Sequence, residues 1–86
     1  MEKAIFIPVT GKAIVTKYLP ATNTRPSRIK ASDEDGNTIT ISYDHGLSHG
    51  QCYAKAAVAL CEKMGWSTNL VGGHVKDGYV FVTLSK

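Results

Sequence analysis

Four residues in one short stretch carry side chains suited to metal binding or nucleophilic chemistry. They are Asp44, His45, His49 and Cys52, separated by one, four and three positions. On a continuous helix His45, His49 and Cys52 would share a face, as three of the ligands of a tetrahedral zinc site. Gly46 and Gly50 weaken such a helix and no fourth ligand is evident. The sequence therefore predicts no metal and no cofactor, with these residues acting as caps and solvated imidazoles. His49 and Cys52 also have the types of a base and a thiol nucleophile. A cysteine in an alanine-rich helix, however, is ordinarily a packing group. The chain has no phosphate loop of the GxxxxGK[ST] kind, no GxSxG elbow and no carboxylate pair in apolar surroundings. "DEDG" at 33–36 is too short for a calcium loop. The expectation is a protein that is not an enzyme.

A second concentration of polar groups lies in "TNTRPSRIK", residues 22–30. Arg25 and Arg28 flank Pro26. Their planar, permanently charged forks suit phosphate or carboxylate recognition. Asn23, Thr24 and Ser27 add hydrogen-bonding capacity, and Lys30 follows on the next strand. Pro20 and Pro26 restrict the residues before them, which stiffens the loop. The predicted partner-binding set is Asn23, Thr24, Arg25, Arg28 and Lys30. The alternative is structural: Arg25 ties the loop to Asp44 or to backbone carbonyls, and Asn23 and Thr24 make local turns.

A third set, His74, Lys76, Tyr79 and Phe81, lies in the C-terminal strands. Aromatic rings with basic neighbours on a strand surface are how single-stranded nucleic acid is stacked. The alternative places Tyr79 and Phe81 in the core beneath a helix. "VGGH" at 71–74 puts adjacent glycines in a strand, which suits close packing or a bulge better than phosphate binding.

The elements that must position these groups follow from periodicity. Residues 3–9 read as an apolar strand and 13–19 as a second, with Ile14, Thr16 and Tyr18 on one face and Ala13, Val15 and Leu19 on the other. Strands at 27–32 and 38–43 alternate cleanly. Their turn is fixed by parity. A two-residue Asp35-Gly36 loop would set Ile39 opposite Ser32. A three-residue loop, Glu34-Asp35-Gly36, pairs Ala31 with Ile39 and Ile29 with Ile41, and predicts Gly36 in the left-handed position of a G1 bulge. Residues 48–64 form the one good helix, with Ser48 as N-cap and an apolar stripe of Tyr53, Ala57, Leu60, Cys61 and Met64. Gly65 should stop it, and Trp66 should fold back on Cys61 in a Schellman ending. For the final hairpin, parity predicts an Asp77-Gly78 turn pairing Val75 with Val80, Gly73 with Val82 and Val71 with Leu84. His74 would then face Phe81, and Lys76 would face Tyr79. The predicted fold is α+β, a mostly antiparallel twisted sheet in the order β-β-β-β-α-β-β, with one long helix on one face.

Eighty-six residues make one domain. The hydrophobic fraction of 43% and charged fraction of 20% are those of a globular chain. Ten basic and seven acidic residues give a net charge of +3, a slight bias toward polyanionic partners. No apolar run reaches the roughly 20 residues that span a bilayer, and "KAIFIPV" lacks a cleavage pattern. No membrane partner is expected, and the expected location is a reducing cytoplasm. Cys52 and Cys61 are nine positions apart, on opposite sides of a helix at about 100° per residue, so two free thiols are expected.

"TNTRPSRIKA", "YDHGL", "AAVALCEKMGW" and "LVGGHVKDGYVFV" together resemble a recurring set of small proteins of phages, plasmids and integrative elements. That set has a TNTRGSRIKA-type core, a YD step into an alanine-rich helix, a GW ending and a GYVFV strand. Pro26 departs from it, where the set has glycine. The resemblance spans roughly residues 13–84 and implies a mobile-element origin and no particular activity. Small phage proteins often act by binding and blocking a host protein, CRISPR or restriction machinery included, and in that context the expected function is an accessory protein that binds a host macromolecule in the host-cell cytoplasm. Direct DNA or RNA binding through the arginine loop and the aromatic strand face remains the alternative. Partner identity and oligomeric state are not set by the sequence.

Overall fold

The computed structural model describes residues 11–84. The strand expected at 3–9 lies outside them. Five strands and one helix follow in order: β1 (Ala13–Leu19), β2 (Arg28–Ser32), β3 (Thr38–Ser42), α1 (His49–Met64), β4 (Leu70–Val75) and β5 (Gly78–Thr83). The strands form one antiparallel sheet, ordered β3-β2-β1-β5-β4, with α1 packed on one side. This is the α+β architecture expected from the sequence.

The β2–β3 hairpin has the expected register, with Ala31 opposite Ile39 and Ile29 opposite Ile41. Gly36 has φ +89°, the left-handed value a β-branched residue resists. Asp33 holds the loop together. Its Oδ1 accepts the N–H groups of Asp35 (3.0 Å) and Asn37 (2.9 Å), and its Oδ2 accepts Asn37 Nδ2 (2.9 Å). The side chain has no solvent exposure, so these bonds satisfy a carboxylate that water cannot reach.

Strand alternation sorts the sheet into two faces. Ile14 and Thr16 of β1, Ile29 and Ala31 of β2, and Phe81 and Thr83 of β5 are buried on the helix side. Thr16 is tolerated there because its hydroxyl donates to Tyr79 O (2.8 Å) and accepts Tyr79 N–H (3.2 Å). The other face carries Ala13, Val15, Lys17, Arg28, Lys30, Val71, Val75, Val80 and Val82. No described element covers it.

The C-terminal hairpin corrects the predicted register. Lys76 and Asp77 form the turn, and Val75 pairs with Gly78, Gly73 with Val80 and Val71 with Val82. The slip is two residues, so every side chain keeps its expected face. The neighbours change: His74 faces Tyr79, not Phe81, and Lys76 leaves the ladder. The cause is close approach. Gly78 stands in the strand against the Thr16 carbonyl, where a Cβ would overlap it, and Gly72 stands opposite Phe81, whose ring occupies the space of a Cβ. Both glycines are needed inside strands, which leaves the turn to other residues.

α1 begins with a full capping box. Ser48 Oγ accepts Gln51 N–H (3.3 Å) and Gln51 Oε1 accepts Ser48 N–H (3.1 Å). It ends as expected, with Gly65 at φ +76°, its N–H on Glu62 O (3.4 Å) and Trp66 N–H on Cys61 O (2.8 Å), the Schellman pair. The buried stripe is wider than predicted: Cys52 and Ala56 join Tyr53, Ala57, Leu60 and Cys61. The two cysteines mark the opposite margins of this broad face, and both are free and buried. α1 lies over β1, β2, β3 and β5, and its Cα atoms stay more than 8 Å from those of β4.

Candidate functional site

Antiparallel alternation brings four connections to one end of the sheet: the β1–β2 loop, the β3–α1 connection, the first turn of α1 and the β4–β5 turn. Asn23, Thr24, Arg25, Arg28, His45, His49, His74, Lys76 and Tyr79 therefore gather there from four segments. Lys30 lies further along β2. The opposite end carries the acidic hairpin Asp33-Glu34-Asp35 and the C-terminus of α1.

The arginine loop is built by residues other than those predicted to hold it. Thr22 Oγ1 accepts the N–H groups of Thr24 (3.4 Å) and Arg25 (3.1 Å), and Thr22 N–H donates to Arg25 O (2.8 Å). Ser27 is buried and its carbonyl accepts Tyr43 N–H (3.1 Å), tying the loop to the end of β3. Arg28 Nε donates to Pro26 O (3.2 Å), which fixes its direction. Asp44 does not hold Arg25. Its carboxylate accepts Gly46 N–H (2.9 Å) and lies 3.6 Å from Lys55 Nζ. Arg25 is exposed, and its guanidinium has no hydrogen bond or ion pair among the described residues. Asn23 and Thr24 are exposed beside it.

On the open face Lys17 stands directly opposite Lys30, and Leu19 opposite Arg28. Like charges facing across a ladder destabilise a sheet. Neither lysine has an acidic partner among the described residues. Beside this basic strip Val15, Val71 and Val75 are 49%, 57% and 47% exposed, with Val80 and Val82 between them. Lys17 was not singled out from the sequence, because its position opposite Lys30 appears only once the register is known.

The predicted aromatic face is corrected in part. Phe81 is only 8% exposed and belongs to the core, so it offers no stacking surface. Its ring is held between Gly72 and Tyr79, with Tyr79 near-parallel at 6.0 Å. Lys76 is in the turn, exposed. Tyr79 is half-buried, and its ring sits 5.0 Å from Tyr53 and 4.4 Å from His74. Tyr79 OH lies 3.2 Å from His74 Nε2. On the other side Tyr43 OH lies 3.2 Å from His49 Nδ1, and the Tyr43 ring contacts Tyr18, His45 and His49. Burial pushes the Tyr43 and Tyr53 phenols above their ordinary pKa. Sequence reasoning missed this aromatic group because Tyr18, Tyr43 and Tyr53 come from three separate segments. Tyr18, His49, Tyr53, His74 and Tyr79 border a cleft of about 640 Å³ between the start of α1 and the β4–β5 turn.

His49 and Cys52 do not form a base and nucleophile. Cys52 Sγ is buried and donates to Asp44 O (3.1 Å), while exposed His49 turns Nδ1 to Tyr43. Among the described residues no three His, Cys, Asp or Glu side chains converge as metal ligands, and no helix is long and apolar enough to cross a membrane.

Comparison with protein-family models, curated proteins and solved structures finds no match to this chain. The functional reading therefore rests on the geometry of this end of the sheet and of the open face.

Proposed function

We propose that this chain is a non-enzymatic binding module that docks a host protein on its open sheet face. The observation that carries this reading is the make-up of that face. An apolar centre of Val15, Val71, Val75, Val80 and Val82 is bordered by Lys17, Arg28 and Lys30. Apolar centres with polar rims are the anatomy of protein interfaces. The partner it fits has an apolar surface edged with carboxylates, which would relieve the repulsion of Lys17 and Lys30. Arg25, with Asn23 and Thr24, extends the basic rim at the loop. The likeness of the motifs to small proteins of mobile elements supports a host protein of a defence or nucleic-acid-processing system as the target, met in the host cytoplasm. The facing lysines also favour a second reading, direct binding of DNA or RNA along the basic strip.

The test is capture from host lysate with three proteins: the unaltered chain, Val15→Glu/Val71→Glu and Arg25→Ala/Arg28→Ala. All three should fold, since the substituted side chains are exposed or half-buried. One protein partner should be retained by the unaltered chain, lost by the valine variant and weakened by the arginine variant by about 2 kcal/mol, the scale of a hot spot. Retention by both variants refutes the reading. Binding of random duplex DNA, with log K falling by about 0.9 per phosphate contact per unit log salt, decides for the second.

A further inference from the structure

We propose that the cleft between the first turn of α1 and the β4–β5 turn binds a nucleoside phosphate. Its base lies among the tyrosine and histidine rings and its phosphate between Lys17 and Lys76. The cleft exists because α1 does not reach β4. The β4–β5 turn projects past the helix, and β1 runs on to Leu19 beyond its last pairing with β5, Lys17 with Gly78. The volume of about 640 Å³ lies within the roughly 300–1,000 Å³ of small-molecule sites.

Its lining combines two chemistries that a nucleotide also combines. The exposed rings of His49 and His74 and the half-buried ring of Tyr79 present surface to the cleft, His74 and Tyr79 lying 4.4 Å apart, and buried Tyr53 backs them at 6.4 Å from His49 and 5.0 Å from Tyr79. Such rings accept a planar base with little regard to its identity. Lys17 and Lys76 have no ion pair among the described residues, so both are available to an anion. The histidines are oriented for the same task. His74 Nε2 is engaged by Tyr79 OH and His49 Nδ1 by Tyr43 OH. The other ring nitrogens, His74 Nδ1 and His49 Nε2, have no hydrogen bond among the described residues and can pair with phosphate or base groups. Asp77, the one acid of the lining, suits the hydroxyls of a ribose. Inorganic phosphate would leave the rings unused, and an uncharged aromatic would leave the lysines unused. The site lies at the end of the sheet on the helix side and shares Lys17 and Val75 with the open face, whereas His49, His74, Lys76 and Tyr79 belong to the cleft and not to that face, so its test can be read apart from protein docking there.

The experiment is an amide-resolved NMR titration of the whole protein with AMP, UMP, adenosine and inorganic phosphate, and with a single-stranded trinucleotide. Saturable shifts with AMP and UMP should centre on residues 49–53 and 74–79. Adenosine and phosphate alone should each bind at least about tenfold more weakly, the factor that one lost stacked base or one lost charge contact brings. Lys76→Ala and His74→Gln, both at exposed positions, should weaken AMP by a similar factor without altering the rest of the spectrum. A trinucleotide that binds more tightly than UMP identifies the end of a nucleic acid as the source of the ligand, and equal binding identifies free nucleotide. The proposal is overturned by the absence of saturable shifts, by phosphate binding as tightly as AMP, by shifts centred on Arg28 and Lys30, or by unchanged AMP affinity in both variants.

Discussion

The two adjacent glycines of β4 should respond in opposite ways to one added methyl group. Gly72 faces the helix side, and a Cβ there would overlap Phe81 Cδ1 and Cε1 and lie 3.2 Å from Cγ. Phe81 cannot swing clear, because its ring is 8% exposed and stacked on Tyr79. Overpacking of this kind costs about 1–3 kcal/mol. The lower entropy of an unfolded chain with alanine returns about 0.4–1 kcal/mol. Gly72→Ala should therefore destabilise by about 1–2 kcal/mol. Gly73 points to the open face with nothing within 4 Å of its would-be Cβ. There only the entropy term remains, so Gly73→Ala should stabilise by about 0.4–1 kcal/mol. Urea unfolding with a shared m-value resolves both changes. In melting experiments 1 kcal/mol corresponds to roughly 4–8 °C for a domain of this size. A cycle with Phe81→Leu isolates the cause, since a smaller side chain at 81 should remove most of the cost of the methyl at 72. Equal effects at the two glycines, or no coupling to position 81, would refute the reasoning.

Gly36→Val should cost about 1–2 kcal/mol, because φ +89° lies in the left-handed region, and chemical denaturation reads it directly. Both thiols should be inert to a thiol reagent in the native state and react only after unfolding, since both are buried and burial raises the Cys61 pKa; rapid native labelling would contradict the packing. The Asn37 side-chain hydrogen bond, against the opposing effect of burial, holds the Asp33 carboxyl below its usual pKa. A depressed carboxylate stabilises the fold above its unfolded pKa of about 4 and loses that contribution as pH falls through the folded value. Acid titration of stability should thus show a loss below about pH 4 that Asp33→Asn diminishes; an identical acid profile in the variant would show that Asp33 is not its source.

Much of the fold was legible because parity and capping are local rules. The register of β2 and β3 followed from which pairing puts Ile29, Ala31, Ile39 and Ile41 on one face, and both ends of α1 followed from Ser48 and Gly65. The final hairpin failed at the same level. Two registers two residues apart satisfy parity equally, and the choice between them depends on the Phe81 ring over Gly72 and the Thr16 carbonyl against Gly78. Those are contacts between strands far apart in sequence, which alternation does not encode. The arginine loop was recognised as exposed capacity, but Thr22, which builds it, was not. The cleft was seen only in part for a related reason: His74, Lys76 and Tyr79 were grouped from the hairpin, but Lys17, Tyr18, His49 and Tyr53 come from other segments that only the folded chain brings beside them.

The uncovered surfaces follow from the proportions of the fold. Five strands about 4.8 Å apart span about 19 Å between the outermost axes, whereas one helix with its side chains is about 10 Å wide. Ala56 and Ala57 let α1 approach the sheet closely, and Lys63 Nζ reaches Thr38 O (2.8 Å) on the β3 side. The helix is thereby drawn toward β2 and β3, and β4 is left beyond its edge. That single displacement has two results. It opens the cleft beside His74 and Tyr79, and beyond half-buried Leu70, which packs against the core, it leaves residues 71–75 of β4 exposed. The opposite face has no described element to cover it at all, yet it carries valines where a solvated face would carry threonines and charges, as β3 does with Thr38, Thr40 and Ser42. The contrast within one sheet is what the proposed docking face rests on: residues 38–42 give β3 a polar outer face, whereas β1 and β4 expose Val15, Val71 and Val75 beside the half-buried Val80 and Val82 of β5.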